Sequence, residues 1–310
     1  MIITVTMNPA IDKTVEIGRL NHGGLNRIAA VEYDAGGKGI NVSKTIQALG
    51  GESLASGFLG GNGGKTIEAA LKEKKIRSDF IWTKGETRTN TKVCEEDGTV
   101  TELNERGPFI TAEESEALLG KLETYAGEDT LYVLAGSVPE NMGKDIYARI
   151  IERVRGKKSR VILDADGDLF REGIRAKPDL VKPNQWEMEE YAGLPHNASE
   201  GELLAAAGKL MERGIGSVVI SMGEKGALFV LDDYTAKGYP LEVKVNSSVG
   251  AGDAMAAAMA YGWDKGMDRE DLVRLCMAVS AGAVTTKGTK PPDRELVEKL
   301  EQMVRIERIK

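Results

Sequence analysis

The sequence predicts a doubly wound α/β protein: a mainly parallel sheet flanked by helices, with a small separate β-sheet acting as a lid. The first observation is the regular alternation of helical and strand-like segments from residue 111 onward, which is typical of βαβ units and a parallel sheet covered on both faces. The second is a pair of exposed, strand-like segments at about 12–35 and 87–104, each broken by a glycine-containing turn. We therefore expect a single domain, residues 1–310, in which these two segments supply the lid strands.

The individual elements follow from short runs of β-branched residues, which favour strands, and from amphipathic segments, which favour helices. Residues 217–220 and 227–231 should pair antiparallel across the turn between them. Residues 60–64 should form a strand-to-helix turn. The main expected elements, in chain order, are strand Ile2–Thr6, helix Val42–Leu49, helix Ala112–Leu122, strand Leu131–Leu134, helix Lys144–Val154, strands Val161–Leu163 and Leu180–Val181, helix Glu202–Met211, strands Ser217–Ile220 and Ala227–Leu231, and helices Asp271–Val284 and Asp293–Val304.

Composition argues against several classes of protein. The 310 residues are 41% apolar and 29% charged, the balance of an ordinary soluble globular protein. A formal charge of −7 argues against nucleic-acid binding, which favours a basic face. No apolar run approaches the roughly 20 residues that span a bilayer. The two cysteines, Cys94 and Cys276, are too few for a disulfide framework and, with only two histidines, do not favour a zinc site. A cytoplasmic location is expected.

The stretch Val249-Gly-Ala-Gly-Asp253 lies immediately before an Ala/Met-rich segment of helical composition. The glycines allow a tight turn and a close approach of the backbone to a ligand. The start of a helix adds unpaired N–H donors and a positive dipole end, so the place suits a phosphate. Asp253 beside such an anion could accept the proton of an attacking hydroxyl group. The same pattern fits an acidic residue that merely stabilises a helix N-terminus.

Two other glycine-rich segments resemble nucleotide-binding motifs and fail at one position each. The pattern G-x-G-x-x-G beginning at Gly37 requires a third glycine where Val42 stands, which removes the main support for a nicotinamide-dependent oxidoreductase. Residues 59–66 resemble a Walker A loop, but Leu59 replaces its first glycine. Lys65 is therefore expected to be a solvated helix residue.

Polar residues also follow several predicted strands. Asp12 comes after the first strand, and similar groups occur in 135–139, 182–187 and 221–226. Ligands of α/β proteins gather at the carboxyl ends of the strands. The recurrence predicts a binding crevice along this edge, although Asp12 alone would fit an ordinary turn.

Together these residues resemble the ribokinase-like sugar kinases of the phosphofructokinase B family, over essentially the whole chain. The stretch Gly36-Gly-Lys-Gly-Ile-Asn-Val42 is similar to the family's N-terminal signature, and Val249–Asp253 to its C-terminal one. Residues 6–12, 87–90, 104–108 and 135–139 further resemble the members that act on ketohexose phosphates. The resemblance implies ATP- and Mg²⁺-dependent phosphorylation of the C6 hydroxyl of fructose 1-phosphate. It also implies homodimers formed through the lid strands.

The resemblance also implies roles for individual residues. Asp253 would be the general base, and the amides of Gly250, Ala251 and Gly252 would stabilise developing negative charge. Asn184 and Glu187 match an N-x-x-E element that organises Mg²⁺ through water. The expected sugar-phosphate ligands are Asp12, Gly37, Lys38, Asn41, Arg88 and Ser137. The expected nucleotide ligands are Lys182, Ser221, Gly223, Gly226, Val279 and Ala283.

Some of these roles stay open at the level of sequence. Lys38 and Arg88 would supply the cations for the phosphate already on the sugar, and Lys92 is either a further cation or merely solvated. Val279 and Ala283 either line an adenine slot or pack in the core. Ser247 stands where many ribokinase-like proteins have an aspartate linked in some of them to a monovalent cation, so no potassium requirement is predicted.

Other functions remain as alternatives. Tagatose 6-phosphate or fructose 6-phosphate could replace fructose 1-phosphate as the acceptor. A kinase of a neutral sugar or nucleoside would leave Lys38 and Arg88 without an anionic partner. A non-catalytic sugar-phosphate sensor would keep both cations but would need neither Asp253 nor Glu187.

Overall fold

The computed structural model describes all residues, 1–310, and contains fourteen strands and ten α-helices. The strands are β1 (Ile2–Thr6), β2 (Ala10–Ile17), β3 (Ala30–Gly36), β4 (Ser53–Gly60), β5 (Arg77–Thr83), β6 (Arg88–Glu95), β7 (Val100–Asn104), β8 (Leu131–Ala135), β9 (Arg160–Asp164), β10 (Leu180–Val181), β11 (Ser217–Ser221), β12 (Ala227–Val230), β13 (Thr235–Gly238) and β14 (Ile306–Arg308). The helices are α1 (Lys38–Ala48), α2 (Gly61–Glu73), α3 (Ala112–Thr124), α4 (Ile146–Arg155), α5 (Gly167–Gly173), α6 (Gln185–Ala192), α7 (Glu200–Glu212), α8 (Ala251–Lys265), α9 (Arg269–Val284) and α10 (Arg294–Glu301).

Ten strands form the main sheet, in the order β14-β13-β12-β11-β10-β9-β8-β1-β4-β5. The pairs from β11 to β5 are all parallel, and β12, β13 and β14 are added antiparallel at one edge. The predicted mainly parallel sheet is confirmed, including the antiparallel pairing of β11 with β12. Because the strands are parallel, their carboxyl ends meet at one edge, where a crevice can form.

Successive residues of the central strands point to opposite faces of the sheet, and each face has its own apolar core. On β8, Tyr132 and Leu134 pack into the core covered by α3, α4 and α7. Leu131 and Val133 pack into the core covered by α1, α8 and α9. This arrangement explains why the central strands read as continuous apolar runs, and it holds α1 and α8 side by side on one face.

The four remaining strands form a small separate sheet, in the order β3-β2-β6-β7. The two inner strands, β2 and β6, are parallel, and each outer strand pairs antiparallel with its neighbour. Each inner strand is thus supplied by one of the two hairpins that the alternating pattern predicts. The lid sheet stands over the carboxyl edge of β1, because only Met7, Asn8 and Pro9 separate β1 from β2.

Other boundaries differ from the expectation at the C-terminus. The last helix ends at Glu301 instead of Val304, and the chain returns as the three-residue edge strand β14, which pairs with β13. Three residues carry too little pattern for sequence analysis to find such a strand. Elsewhere, Gly60 ends β4 and Gly61 begins α2, and Lys65 on that helix is exposed as predicted. None of the helices combines the length and apolarity needed to cross a membrane.

Candidate active site

Asp253 lies in the first turn of α8 and is buried, with 8% of its surface exposed. Gly250 immediately precedes the helix with a φ of 90°, in the left-handed region that glycine adopts without strain. No side chain caps this helix end. The amides of the first turn therefore have no partner within the helix and point toward any anion placed before it.

A hydrogen bond joins the two glycine-rich motifs. Asn41 on α1 donates from Nδ2 to Asp253 Oδ2 at 2.9 Å, although 212 positions separate the two residues. Gly37 precedes α1 with a φ of 117°, and a Cβ at this position would lie 2.6 Å from Thr6 Cγ2. Only glycine therefore lets α1 start close enough to β1 to bring Asn41 to the carboxylate.

The surroundings of Asp253 disfavour its charge. Burial, followed by the nearby carboxylate of Asp164, raises the pKa of Asp253 to about 6, while Lys38, Asn41 and Lys182 act in the opposite direction. A carboxylate with such a pKa is ionised at neutral pH yet is a better proton acceptor than an exposed aspartate. This is the range that general-base catalysis favours.

Asp164, which the sequence analysis did not single out, is the last residue of β9 and is buried. Its Oδ1 lies 3.6 Å from Lys38 Nζ and 3.4 Å from Lys182 Nζ. Burial alone would raise the pKa of Asp164, but the ammonium groups of Lys182 and Lys38 outweigh it and hold the pKa below its usual value. In the sequence, only its position could have identified it as a site residue, because it directly follows the predicted strand Val161–Leu163 at the carboxyl edge of the sheet.

Asn184 and Glu187 form a reciprocal cap at the start of α6. Asn184 Oδ1 accepts from the Glu187 N–H at 2.8 Å, and Glu187 Oε2 accepts from the Asn184 N–H at 2.9 Å. The N-x-x-E spacing therefore has a structural explanation as a capping box. Burial raises the pKa of Glu187, opposed by the Asn184 amide and Lys182. The carboxyl group keeps its second oxygen, Oε1, for a ligand.

A cleft of about 880 Å³ opens beside these groups, at the upper end of the range for small-molecule sites. The predicted nucleotide-site residues that line it are Lys182, Asn184, Glu187, Ser221, Gly223 and Gly226. It is also lined by the predicted catalytic residues Gly250, Ala251, Gly252 and Asp253, and by Lys38, which was predicted to bind the sugar phosphate. Its apolar wall was not predicted and comes from Leu241, Val243, Met255, Met277, Ala281 and Val284.

Of the two interpretations left open for Val279 and Ala283, the structure favours packing in the core over lining the cleft. Both side chains are buried in the core beneath α9 and do not line the cleft. The lining face of α9 is formed by Met277, Ser280, Ala281 and Val284, which are spaced three or four positions apart and so share one side of the helix. The helix was predicted correctly, and its packing decides which of its sides borders the cleft.

The remaining predicted residues lie outside this cleft, mostly toward the lid. Asp12 on β2 is directly opposite Asn90 on β6, and its Oδ1 accepts from Asn90 Nδ2 at 3.2 Å. Burial raises the pKa of Asp12, opposed by Asn90 and Lys92. Asn90 was missed as a site residue, although its pairing with Asp12 follows from the strand register. Ser137 is exposed in the turn after β8.

Arg88 begins β6 and is held by backbone carbonyl groups at the base of the lid. Its two terminal nitrogens donate to the carbonyl oxygens of Asn8 and Glu105, each at 3.1 Å. Its Nε is buried and has no partner. Lys92 on the same strand lies 3.8 Å from Glu102. The lid side therefore offers a fixed guanidinium group whose Nε–H has no partner.

Comparison with known proteins places the chain in a family. The family model described as "pfkB family carbohydrate kinase" matches residues 2–295. The chain belongs to the pfkB family of carbohydrate kinases. These enzymes transfer a phosphoryl group to a sugar hydroxyl, and the family implies ATP as the donor.

Relatives of this pfkB kinase align over nearly its whole length. It is 32% identical to a 1-phosphofructokinase of Vibrio cholerae, over 98% of this chain and 96% of that protein. It is 35% identical to a 1-phosphofructokinase of Bacillus subtilis, over 100% of each chain. A crystal structure of phosphofructokinase-2 from Escherichia coli in complex with potassium superposes with a TM-score of 0.92 at 26% identity, covering 97% of this chain and 98% of that one.

Proposed function

We propose that this pfkB kinase phosphorylates the C6 hydroxyl of fructose 1-phosphate with ATP, giving fructose 1,6-bisphosphate. The observation that carries the proposal is the buried carboxylate of Asp253, bonded to Asn41 at the amide-rich start of α8 and open to the large cleft. The relatives from Vibrio cholerae and Bacillus subtilis, both named 1-phosphofructokinase, support the choice of acceptor.

In the proposed mechanism, Asp253 takes the proton from the C6 hydroxyl as its oxygen attacks the γ-phosphorus of ATP. The new O–P bond forms as the bond from the γ-phosphorus to the oxygen of the leaving ADP breaks. The amides of Gly250, Ala251 and Gly252 point toward the anion site and stabilise negative charge there without reorganising. A pKa of about 6 leaves Asp253 ionised at neutral pH and ready to accept the proton.

The lid residues would bind the sugar. Asp12 and Asn90, already paired across β2 and β6, can bond to ring hydroxyl groups through their remaining polar atoms. The unpartnered Nε of Arg88 is a donor for the phosphate that the sugar already carries. Gly37 precedes α1, and Asn41 on that helix is hydrogen-bonded to Asp253, so both would lie close to the reacting hydroxyl.

The donor set is compatible with a magnesium ion carried in with ATP. The structure contains no group of three or more His, Cys, Asp or Glu side chains able to hold a metal alone. Magnesium in kinases keeps several waters and takes only one or two protein carboxylates besides the phosphates. Glu187, which lines the cleft and whose Oε2 is held by the Asn184 N–H, supplies such a carboxylate. When bound, the ion neutralises charge on the phosphate oxygens.

The acceptor is tested by a coupled ADP-release assay with Mg-ATP and four acceptors: fructose 1-phosphate, fructose 6-phosphate, tagatose 6-phosphate and unphosphorylated fructose. We expect kcat/KM to be highest for fructose 1-phosphate. Preference for a 6-phosphate would keep the carbohydrate kinase and reverse the sugar in the site. This alternative is favoured by the similarity to phosphofructokinase-2, one of whose structures is a complex with fructose-6-phosphate.

We also propose that the protein is cytoplasmic and forms a homodimer through its lid. The outer strands β3 and β7 leave unpaired backbone edges and expose apolar side chains, namely Val31, Tyr33, Val100 and Leu103. Sedimentation velocity at micromolar concentration should give a dimer, and the Tyr33→Lys variant should sediment as a monomer. Met303→Lys, an equally exposed apolar position far from the lid strands in sequence, is the control. A monomeric wild-type protein would contradict this proposal.

A further inference from the structure

Lys38 and Lys182 come from separate parts of the chain and converge on one oxygen. Lys38 is the first residue of α1, and Lys182 directly follows β10. Both ammonium groups approach Oδ1 of Asp164, at 3.6 and 3.4 Å, so they are neighbours. Two ammonium groups that approach the same oxygen repel each other, and the negative charge of the buried Asp164 carboxylate offsets that repulsion.

The lysine pair also lies beside the anion site of α8. A Cβ added to Gly252 would lie 3.3 Å from Lys182 Nζ, so this ammonium lies over the first turn of the helix. The stem of Lys38 runs across Gly136, whose φ of 94° and missing side chain leave it room. Both lysines line the cleft together with Asp253. Ammonium donors, helix amides and the proposed base therefore surround one place.

The contacts of the two lysines leave donors available. An ammonium has three N–H donors, and charge-assisted bonds are normally about 2.7–2.9 Å long. The distances of 3.4 and 3.6 Å to Asp164 are longer than this, so the carboxylate holds the lysines without saturating them. The Asp164 carboxylate raises the pKa of Lys38, which stays charged at any working pH. A phosphoryl group with three oxygens fits the unused donors.

Lys38 therefore lies with the predicted nucleotide-site residues, apart from Arg88. The expected sugar-phosphate cations were Lys38 and Arg88, but Arg88 is at the base of the lid, outside the cleft lined by Lys38. We propose that Lys38 and Lys182 together bind the phosphoryl group being transferred, and that buried Asp164 is a positioning residue that keeps the two ammonium groups side by side. This rests on the proposed phosphoryl transfer, and it leaves Arg88 for the phosphate that does not react.

Nucleotide binding tests the lysine pair without any sugar. The dissociation constants of ATP and ADP would be measured by titration calorimetry for wild type, Lys38→Met and Lys182→Met, which keep the length of the side chain and remove its charge. Each variant should weaken ATP binding by roughly ten- to a hundredfold, the usual worth of a charged hydrogen bond, and leave ADP binding within about twofold. Lys65→Met, on the exposed face of α2, is the matched control and should bind both nucleotides normally. Equal losses for ATP and ADP, or no loss for either, would overturn the proposal.

Steady-state kinetics separate this inference from the choice of sugar. With the acceptor that wild type prefers, Lys38→Met should lower kcat by a factor on the order of 10²–10³, as for loss of one transition-state donor, with a small change in the acceptor KM. A large rise in that KM at unchanged kcat would instead return Lys38 to the sugar phosphate. If the assay shows another acceptor than fructose 1-phosphate, the selectivity for ATP over ADP still decides the case for the lysines.

Asp164→Asn tests the positioning role. Its neighbours in the site are Lys38 from α1, Lys182 after β10 and Asp253 from α8, and its charge raises the pKa of Asp253. The variant should lose selectivity for ATP over ADP, and the acid limb of its kcat/KM profile should move to lower pH. A merely structural residue would reduce activity without moving that limb. Unchanged nucleotide selectivity together with an unmoved limb would remove Asp164 from this role.

Discussion

The Asp253→Asn variant is expected to turn over more slowly than wild type by a factor on the order of 10²–10⁴, which is the usual contribution of a general base. Asparagine keeps the shape of the side chain but cannot accept the proton of the sugar hydroxyl. The KM values for ATP and sugar phosphate should change little, because neither is bound through the proton transfer. Coupled ADP-release kinetics measure the effect. Near-normal turnover would show that Asp253 is not the base.

The same variant should be more stable than wild type at neutral pH. The pKa of Asp253 is about 6 in the folded protein against an ordinary 3.8, so the folded state binds a proton more tightly than the unfolded state. Stability from this group is therefore full below about pH 4 and is lost as the pH rises through about 6. A shift of about two units corresponds to roughly 3 kcal/mol.

Thermal melts check this effect. The Tm of Asp253→Asn should exceed that of wild type at pH 7.5, and the gain should shrink at pH 5. If the variant and wild type have the same Tm at pH 7.5 and also at pH 5, burial does not destabilise the charged carboxylate of Asp253.

In wild type, protonation of Asp253 should reduce kcat/KM below about pH 6. The Asn41→Ala variant should move this acid limb to higher pH, because the hydrogen bond from Asn41 lowers the pKa of Asp253.

The second large effect is expected for Arg88→Ala, which should raise the KM for the sugar phosphate by roughly ten- to a hundredfold, the range for a lost hydrogen bond to a charged group. Since Arg88 also bonds to the carbonyl groups of Asn8 and Glu105, its removal loosens the base of the lid. The KM for unphosphorylated fructose separates these effects, because it should change much less if Arg88 binds phosphate.

A matched control for Arg88 lies nearby. Arg106 is also close to the lid base, but its side chain is 82% exposed and pairs with Glu140 on the surface. Arg106→Ala should therefore leave both KM values unchanged. An unchanged sugar-phosphate KM in Arg88→Ala would remove Arg88 from the site, and an equal rise for phosphorylated and unphosphorylated sugar would make its role structural.

Much of the candidate site follows from local patterns. Glycines that must adopt positive φ, as at Gly37 and Gly250, are visible in sequence, and a helix start after such a turn implies an anion site whatever the rest of the chain does. The spacing of Asn184 and Glu187 likewise implies a capping box. These features depend on covalent geometry and on residues a few positions apart.

The contacts between residues far apart in the chain could not be predicted from such local patterns. The pairing of Asp164 with Lys38 and Lys182 depends on three elements that meet only after the sheet has formed, so the sequence marked the lysines but not the carboxylate between them. The face of α9 that borders the cleft depends on how the helix packs against α8. The second half of α9 has apolar residues on every side, so Val279 and Met277 look alike in sequence. Both are buried in the same core, and only packing decides that Met277 also borders the cleft.

The sequence by itself determined the mainly parallel sheet, the separate lid and the two glycine motifs that carry Asn41 and Asp253, because hydrophobic periodicity and backbone freedom are properties of short segments. Only the tertiary structure decided that these motifs touch, that Lys38 faces the cleft and that β14 closes the sheet edge. Those outcomes depend on which surfaces become buried together, and that is a property of the whole packed chain.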